Sequence, residues 1–207
     1  MTGPAFPIAV LISGEGTNLQ ALLDDPDIDV AAVASSQEGA RGLERAREAG
    51  VETAVFAIGD HTGRDERDQA LGDWIDERGA RLVVLAGFME ILGAGFIRRF
   101  AGRIVNVHPS LLPAFPGVRA IEQALEHGVK LTGVTVHFVD EGVDSGPIVL
   151  QEALELTYPR RVADIEASVH EVEHRLLPRA VRLIAAGRVR PDPDNPRLMR
   201  IEDAGSD

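Results

Sequence analysis

In the stretch Ile104-Val105-Asn106-Val107-His108, a side-chain amide and an imidazole stand two residues apart. On a β-strand they face the same way, because successive side chains alternate between faces. Pro109 has no N–H to donate and stops the strand, so the pair falls at a strand's carboxyl end, where open α/β sheets place ligands. An amide N–H beside a protonated imidazole suits the oxyanion of an acyl transfer. Taken alone, the pair also describes a hydrogen-bonded structural Asn and a surface His capping a strand. Downstream, Asp140-Glu141-Gly142-Val143-Asp144-Ser145-Gly146-Pro147 holds carboxylates in a glycine-punctuated turn. A carboxylate near His108 favours the protonated ring and can relay protons through water. A solvated acidic turn is the plainer alternative. Asp144 is preferred to Asp140 because it adjoins Ser145-Gly146-Pro147, where the next strand starts.

A second candidate is the loop Ser13-Gly14-Glu15-Gly16-Thr17-Asn18-Leu19. Glycines let the backbone approach a ligand, and the helix start that follows offers unpaired N–H groups to an anion. Leu19 stands where a dinucleotide fingerprint needs its third glycine, so the loop suits one phosphate better than a pyrophosphate. A tight strand-to-helix turn fits the same residues, with Glu15 turned to solvent. The other histidines, His61, His127, His137, His170 and His174, lack metal-ligand spacing, and His137 reads as a packing or surface residue. No metal is expected.

These groups need a frame, and the apolar pattern supplies one. Short apolar runs predict strands at Ile8–Ser13, Ile28–Ser35, Val51–Ile58, Leu82–Ala86 and Ile104–His108. Helices are expected between them at Asn18–Asp25, Ala40–Ala49, Asp65–Arg78 and Ile91–Phe100. Such alternation predicts an α/β fold: a single open, mostly parallel twisted sheet with helices on both faces. Leu131–Val139 and Ile148–Leu156 flank the acidic turn as an antiparallel pair that continues the sheet. Beyond them Val162, Ile165, Val169, Val172, Leu176, Ala180 and Leu183 recur every three or four residues, an amphipathic helix ended by Gly187. One domain over 1–190 is expected, with 191–207 a poorly ordered tail rich in Pro, Asp and Arg.

Composition narrows the partners. With 21 basic against 33 acidic residues the formal net charge is −12, which repels a nucleic acid backbone but not a small anion held by one loop. The chain has no cysteine, which excludes disulfides, thiolate nucleophiles and cysteine-rich zinc sites. No run approaches the roughly 18 apolar residues of a membrane span, and the first residues lack a signal-peptide pattern, so the cytoplasm is expected. A homodimer is left open.

Together SGEGTNLQALL, VVLAGFMEIL, NVHPSLLPAFPG and VTVHFVDEGVDSGPIVLQ resemble the phosphoribosylglycinamide formyltransferases, within the folate-dependent formyltransferase family. The likeness runs from about Ile8 to Arg188. It implies a Rossmann-like fold and transfer of a formyl group from 10-formyltetrahydrofolate to the amine of phosphoribosylglycinamide (GAR), a step of purine biosynthesis. It implies Asn106, His108 and Asp144 as the catalytic trio, and Gly16, Thr17, Asn18 and Glu173 as contacts to GAR, although Glu173 also reads as an exposed helix charge. Folate contacts would come from Arg64, Met89, Glu90, Ile91, Leu92, Asn106, Asp140, Glu141, Gly142 and Val143. Residues 1–100 would serve GAR, and 101–190 folate and catalysis. Two departures stand out: Glu90 where the family usually has a basic residue, and Arg119 where it has a histidine.

In the mechanism so implied, Asn106 and His108 hold the developing oxyanion. Asp144 raises the His108 pKa and orders water that passes protons from the amine to N10. Rival readings are a formyltransferase for an amino-sugar nucleotide or for tRNA, a formylfolate hydrolase, and a non-catalytic folate-binding module.

Overall fold

The computed structural model describes residues 6–158 and 161–202. The chain forms two compact units, Met1–Asn106 and Val107–Asp207. In the first, β1 (Pro7–Ile12), β2 (Asp29–Ser35), β3 (Glu52–Val55), β4 (Leu82–Leu85) and the start of β5 (Ile104–His108) alternate with α1 (Thr17–Leu23), α2 (Arg41–Glu48), α3 (Arg64–Glu77) and α4 (Ala94–Arg99). Every strand pairing here is parallel: β1 with β2 and β4, β2 with β3, β4 with β5. Ile8 to Ile12 are completely buried, as the unbroken apolar run requires of a strand covered on both faces. Each such Val, Leu or Ile contributes roughly 1.5–3 kcal/mol of burial.

The second unit contains α5 (Ala120–Glu126), β6 (Leu131–Phe138), β7 (Ile148–Glu155) and α6 (Val162–Ala185), then β8 (Val189–Pro191) and β9 (Met199–Ile201). β6 and β7 are antiparallel, with Thr135 opposite Gln151. The seven-stranded sheet runs β3-β2-β1-β4-β5-β6-β7, the open, mostly parallel arrangement expected, with its antiparallel pair in the C-terminal half. α6 lies on β6 and β7 and buries Ile165, Val169, Val172, Leu176, Ala180 and Leu183, the stripe read from the sequence.

Four local expectations differ. The helix predicted from Ile91 starts only at Ala94: Gly93 is extended, at φ −71° and ψ 157°, and the Ile91 carbonyl, which a longer helix would turn to a later N–H, accepts from Arg67 instead, while the Gly93 N–H donates to Asp68. The strand predicted over Val51–Ile58 keeps only Glu52–Val55 and gives way to a 3-10 turn at Ile58–Asp60. α5 was not predicted; its buried Ala120, Ile121 and Ala124 lie among good helix formers and Gly128 follows. The tail read as poorly ordered instead folds back as the antiparallel β8–β9 ribbon, while 203–207 fall outside the described residues. Composition misled there because one carboxylate organises the turn. Asp192, almost fully buried, accepts N–H bonds from Asp194 and Asn195 and pairs with Arg200.

Candidate active site

At the carboxyl ends of β1 and β4, Ser13 ties two loops together. Its N–H donates to the Gly87 carbonyl at 3.0 Å, and its hydroxyl accepts from Met89 N–H at 2.8 Å. Gly16 precedes α1 at φ +70°, a left-handed conformation that favours glycine, and its Cα packs against Gly42 so closely that an added Cβ would lie 2.5 Å from the Gly42 Cα. Arg45 fixes the loop from α2, donating to the Glu15 carbonyl at 2.9 Å, and Glu15 itself is exposed beside Arg41. Thr17 opens the helix half-buried and Asn18 is buried.

Asn106 sits opposite Leu85 in the β4–β5 pairing, two residues before Gly87 opens the second loop. His108 follows on the same side of β5. Asn106 is half-buried; His108 is 4% exposed. The turn after β5 is fastened beneath by Thr135, whose hydroxyl donates to Ser110 O and accepts from Leu112 N–H, while Gln151 donates to Leu112 O. Ser110 in turn donates to the Ala114 carbonyl at 2.6 Å. This brings the Phe115 carbonyl to 2.8 Å from His108 Nε2.

Asp144 meets the other edge of the ring. Its Oδ2 lies 3.3 Å from His108 Nδ1 and accepts from Gly117 N–H at 2.7 Å, while its Oδ1 lies 3.6 Å from His137 Nε2. The expected His108–Asp144 contact is therefore present, and Asp144 also contacts a second buried imidazole. Its backbone is held at φ +49°, unusual for a non-glycine residue and enriched at functional positions.

Two opposed effects set the charges. Burial by itself raises the Asp144 pKa, but the His137 and Gly117 hydrogen bonds and the positive character of both rings outweigh it and hold the carboxyl down at about 2. For His108 burial wins. It lowers the pKa below the ordinary histidine value, although the Phe115 carbonyl and Asp144 both pull upward. The expectation that Asp144 raises His108 is thus corrected in its net result: the carboxylate acts in that direction, but loss of solvent is the larger effect. Only the imidazolium can donate to both neighbouring oxygens, so the ring is poised between satisfied hydrogen bonds and the cost of a buried charge.

The other predicted residues fall into two groups. In the first unit, Arg64 opens α3, exposed, its Cδ 3.8 Å from where a Gly93 Cβ would stand. Met89 and Ile91 are exposed, Glu90 is half-buried and Leu92 buried. In the second, Asp140 turns its carboxylate into its own loop, accepting from Gly142 N–H and Ser145 Oγ. Glu141, Gly142 and Val143 form the exposed tip. An added Cβ on Gly146 would strike the Phe138 carbonyl, so the loop closes tightly just past Asp144. Glu173 is 6% exposed, which removes the reading of a surface charge. Arg119, at φ +61°, is exposed and pairs with Glu122 and Glu126.

His137 was missed. The sequence reads it as packing or surface because a doubly covered strand buries both sets of alternating side chains and hides which one faces a site. Its spacing from Asp144 gives no helical or strand signal either. Among the described residues no three His, Cys, Asp or Glu side chains are grouped to hold a metal, and no helix is long and apolar enough to cross a membrane.

Residues 7–181 match the family described as formyl transferase. The chain is 42% identical over 188 residues to phosphoribosylglycinamide formyltransferase of Haemophilus influenzae, covering 88% of this chain and 89% of that protein. It is 42% identical over 187 residues to the trifunctional purine biosynthetic protein adenosine-3 of Gallus gallus, spanning 19% of that longer protein. The crystal structure of glycinamide ribonucleotide transformylase 1 from Symbiobacterium toebii superposes with a TM-score of 0.92 at 46% identity, covering 96% of this chain and 95% of that one.

Proposed function

The chain belongs to the formyl transferase family, and from that premise we propose that it moves a formyl group from 10-formyltetrahydrofolate to the amine of GAR. The observation that carries the reading is the half-buried Asp144 carboxylate between His108 and His137, with Asn106 two residues before His108 on β5. A carboxylate that stays ionised between two imidazoles can hold an imidazolium and orient the water that carries protons, and its left-handed backbone is of the kind found at functional positions.

The amine nitrogen adds to the formyl carbon, giving a tetrahedral alkoxide, and the carbon–N10 bond then breaks while one proton passes from the amine to N10. Asn106 donates its amide N–H to the alkoxide. His108 begins neutral, as its burial favours, and takes up the amine's proton as negative charge develops beside it. The alkoxide supplies the second anion that burial alone denies the imidazolium, so the charge pair forms only along the reaction path. Asp144 holds the imidazolium, and water at the Asp144 carboxylate carries the proton on to N10. His108 must exchange the Phe115 carbonyl or Asp144 for the alkoxide as its partner, a small rotation for a ring held by two contacts.

Gly16, Thr17 and Asn18 then receive the GAR phosphate and Glu173 contacts GAR, while Asn106, His108 and Asp144 serve catalysis. Met89, Ile91 and Val143 offer exposed apolar faces of the kind a flat pterin covers. Arg64, Glu90, Leu92, Asp140, Glu141 and Gly142 complete the folate contacts.

The test is formyl transfer with both substrates and with each omitted. Tetrahydrofolate release that depends on GAR supports the reading. Release at the same rate without GAR reassigns the chain to hydrolysis, and no release in either case overturns it.

A further inference from the structure

Among the described residues the largest fully buried side chain is charged. Arg67, on the first turns of α3, has no exposed surface, and beside it Asp68 is 4% exposed. Arg67 Nε donates to Asp68 Oδ1 at 2.6 Å. Neither residue matches any motif of the site described above. Removing two charges from water is costly, and a buried pair is retained where its remaining donors and acceptors are used for something.

Here Arg67 Nη2 and Asp68 Oδ2 are used on one loop, while Arg67 Nη1 is buried without a hydrogen-bond partner. Arg67 Nη2 donates to the Ile91 carbonyl at 3.1 Å, and Asp68 Oδ2 accepts from Gly93 N–H at 2.6 Å. The Arg67 guanidinium also lies 5.8 Å from the centre of the Phe88 ring. At the loop's other end the Ser13 hydroxyl accepts from Met89 N–H. Peptide groups at 89, 91 and 93 are therefore fixed from below, and the groups between them can take few other directions.

We propose that the Arg67–Asp68 pair is a positioning device that fixes the peptide groups of the Phe88–Gly93 loop and so sets its backbone to receive the folate. This rests on the proposed folate role of Met89 to Leu92. It also accounts for Glu90: when the loop's backbone is dictated by α3, the side chain at position 90 need not be the basic one usual in the family.

The experiment uses the full chain with Arg67→Lys, which keeps the charge but loses the planar fork, and the double variant Arg67→Met/Asp68→Asn. The second leaves no buried charge and keeps an acceptor for Gly93 N–H. Steady-state kinetics for both substrates are paired with thermal unfolding and amide exchange of residues 88–93. The expected result is a KM for 10-formyltetrahydrofolate raised about tenfold or more, with KM for GAR and kcat changing by about twofold at most, and faster exchange confined to the loop. An unchanged folate KM in a folded variant overturns the proposal. So does a parallel rise in both KM values, or failure of both variants to fold, since the pair would then serve the fold as a whole. If the wild-type chain turns over no formylfolate, the functional reading fails; loop exchange in the variants still decides whether the clamp exists.

Discussion

Replacing Asp144 by Asn removes one charge and almost no volume, and its consequences separate into two measurable effects. The side-chain oxygen that accepts from Gly117 N–H is retained, so the turn keeps its closure. What goes is the anion beside His108 and His137. A native carboxyl held at about 2, against 3.8 for the free group, corresponds to roughly 2 kcal/mol of stability carried by the ionised form. Solvent screens little of it, because the side chain is 14% exposed. The sign follows from the depression. The contribution is complete above the unfolded value of 3.8 and disappears as pH falls through that value toward about 2. Urea unfolding from pH 2 to 7 should therefore show wild type more stable than Asp144→Asn by about 2 kcal/mol at neutral pH, converging at the acid end. Taking the difference between the two proteins cancels the titration of the other carboxylates. In the second effect, His108 loses an upward influence on a pKa already lowered by burial, so its cationic form becomes harder to reach. Turnover should fall by about 10² or more, with a much smaller change in GAR affinity. A stability difference that stays constant down to pH 2, or a variant that turns over like wild type, would refute the role assigned to the carboxylate.

His137→Ala should raise the Asp144 pKa, since that ring is the largest of the influences lowering it, and should slow turnover about tenfold; carbon-detected NMR titration of the Asp144 carboxyl checks it, and an unmoved titration removes His137 from the site. Gly16→Ala puts a Cβ at φ +70° against the Gly42 Cα and should cost about 2 kcal/mol or more of stability, read as a shifted urea midpoint; a wild-type midpoint would show that the loop can relax.

Legibility tracked how local the determining interactions are. β1, β2, β4 and β5 could be read because strands covered on both faces need long apolar runs, and β6 and β7 because a Gly- and Asp-rich turn separates them. The pairing of Asn106 with His108 needed only the period of a strand. What escaped depends on contacts between distant residues. The loop before α4 is held by Arg67 and Asp68, more than twenty positions earlier, which bond the Ile91 carbonyl and the Gly93 N–H. The ribbon after α6 is held by Asp192 and Arg200 in a segment whose composition alone argues for disorder. His137 reads as one more buried position on a buried strand.

The site residues share one physical feature, which is that each works under strain imposed by neighbours that take no part in the chemistry. Asp144 keeps a left-handed backbone because Asp140 gathers the Gly142 N–H and the Ser145 hydroxyl on one side, and Gly146 allows the chain to press against the Phe138 carbonyl on the other. The ribbon adds a further hold: Arg197 donates to the Ser145 carbonyl at 2.9 Å and Leu198 bridges to Ile148, where β7 begins. Burial disfavours the charged ring of His108 in a place where both its nitrogens face oxygen. Relief of that conflict requires negative charge to arrive from outside, and in the proposed reaction a tetrahedral alkoxide brings it. A surface histidine beside a surface carboxylate would be content in water before and after the reaction, and would gain little from the intermediate. Burial, which works against the charge on His108 in the resting protein, is therefore what makes the alkoxide's arrival count.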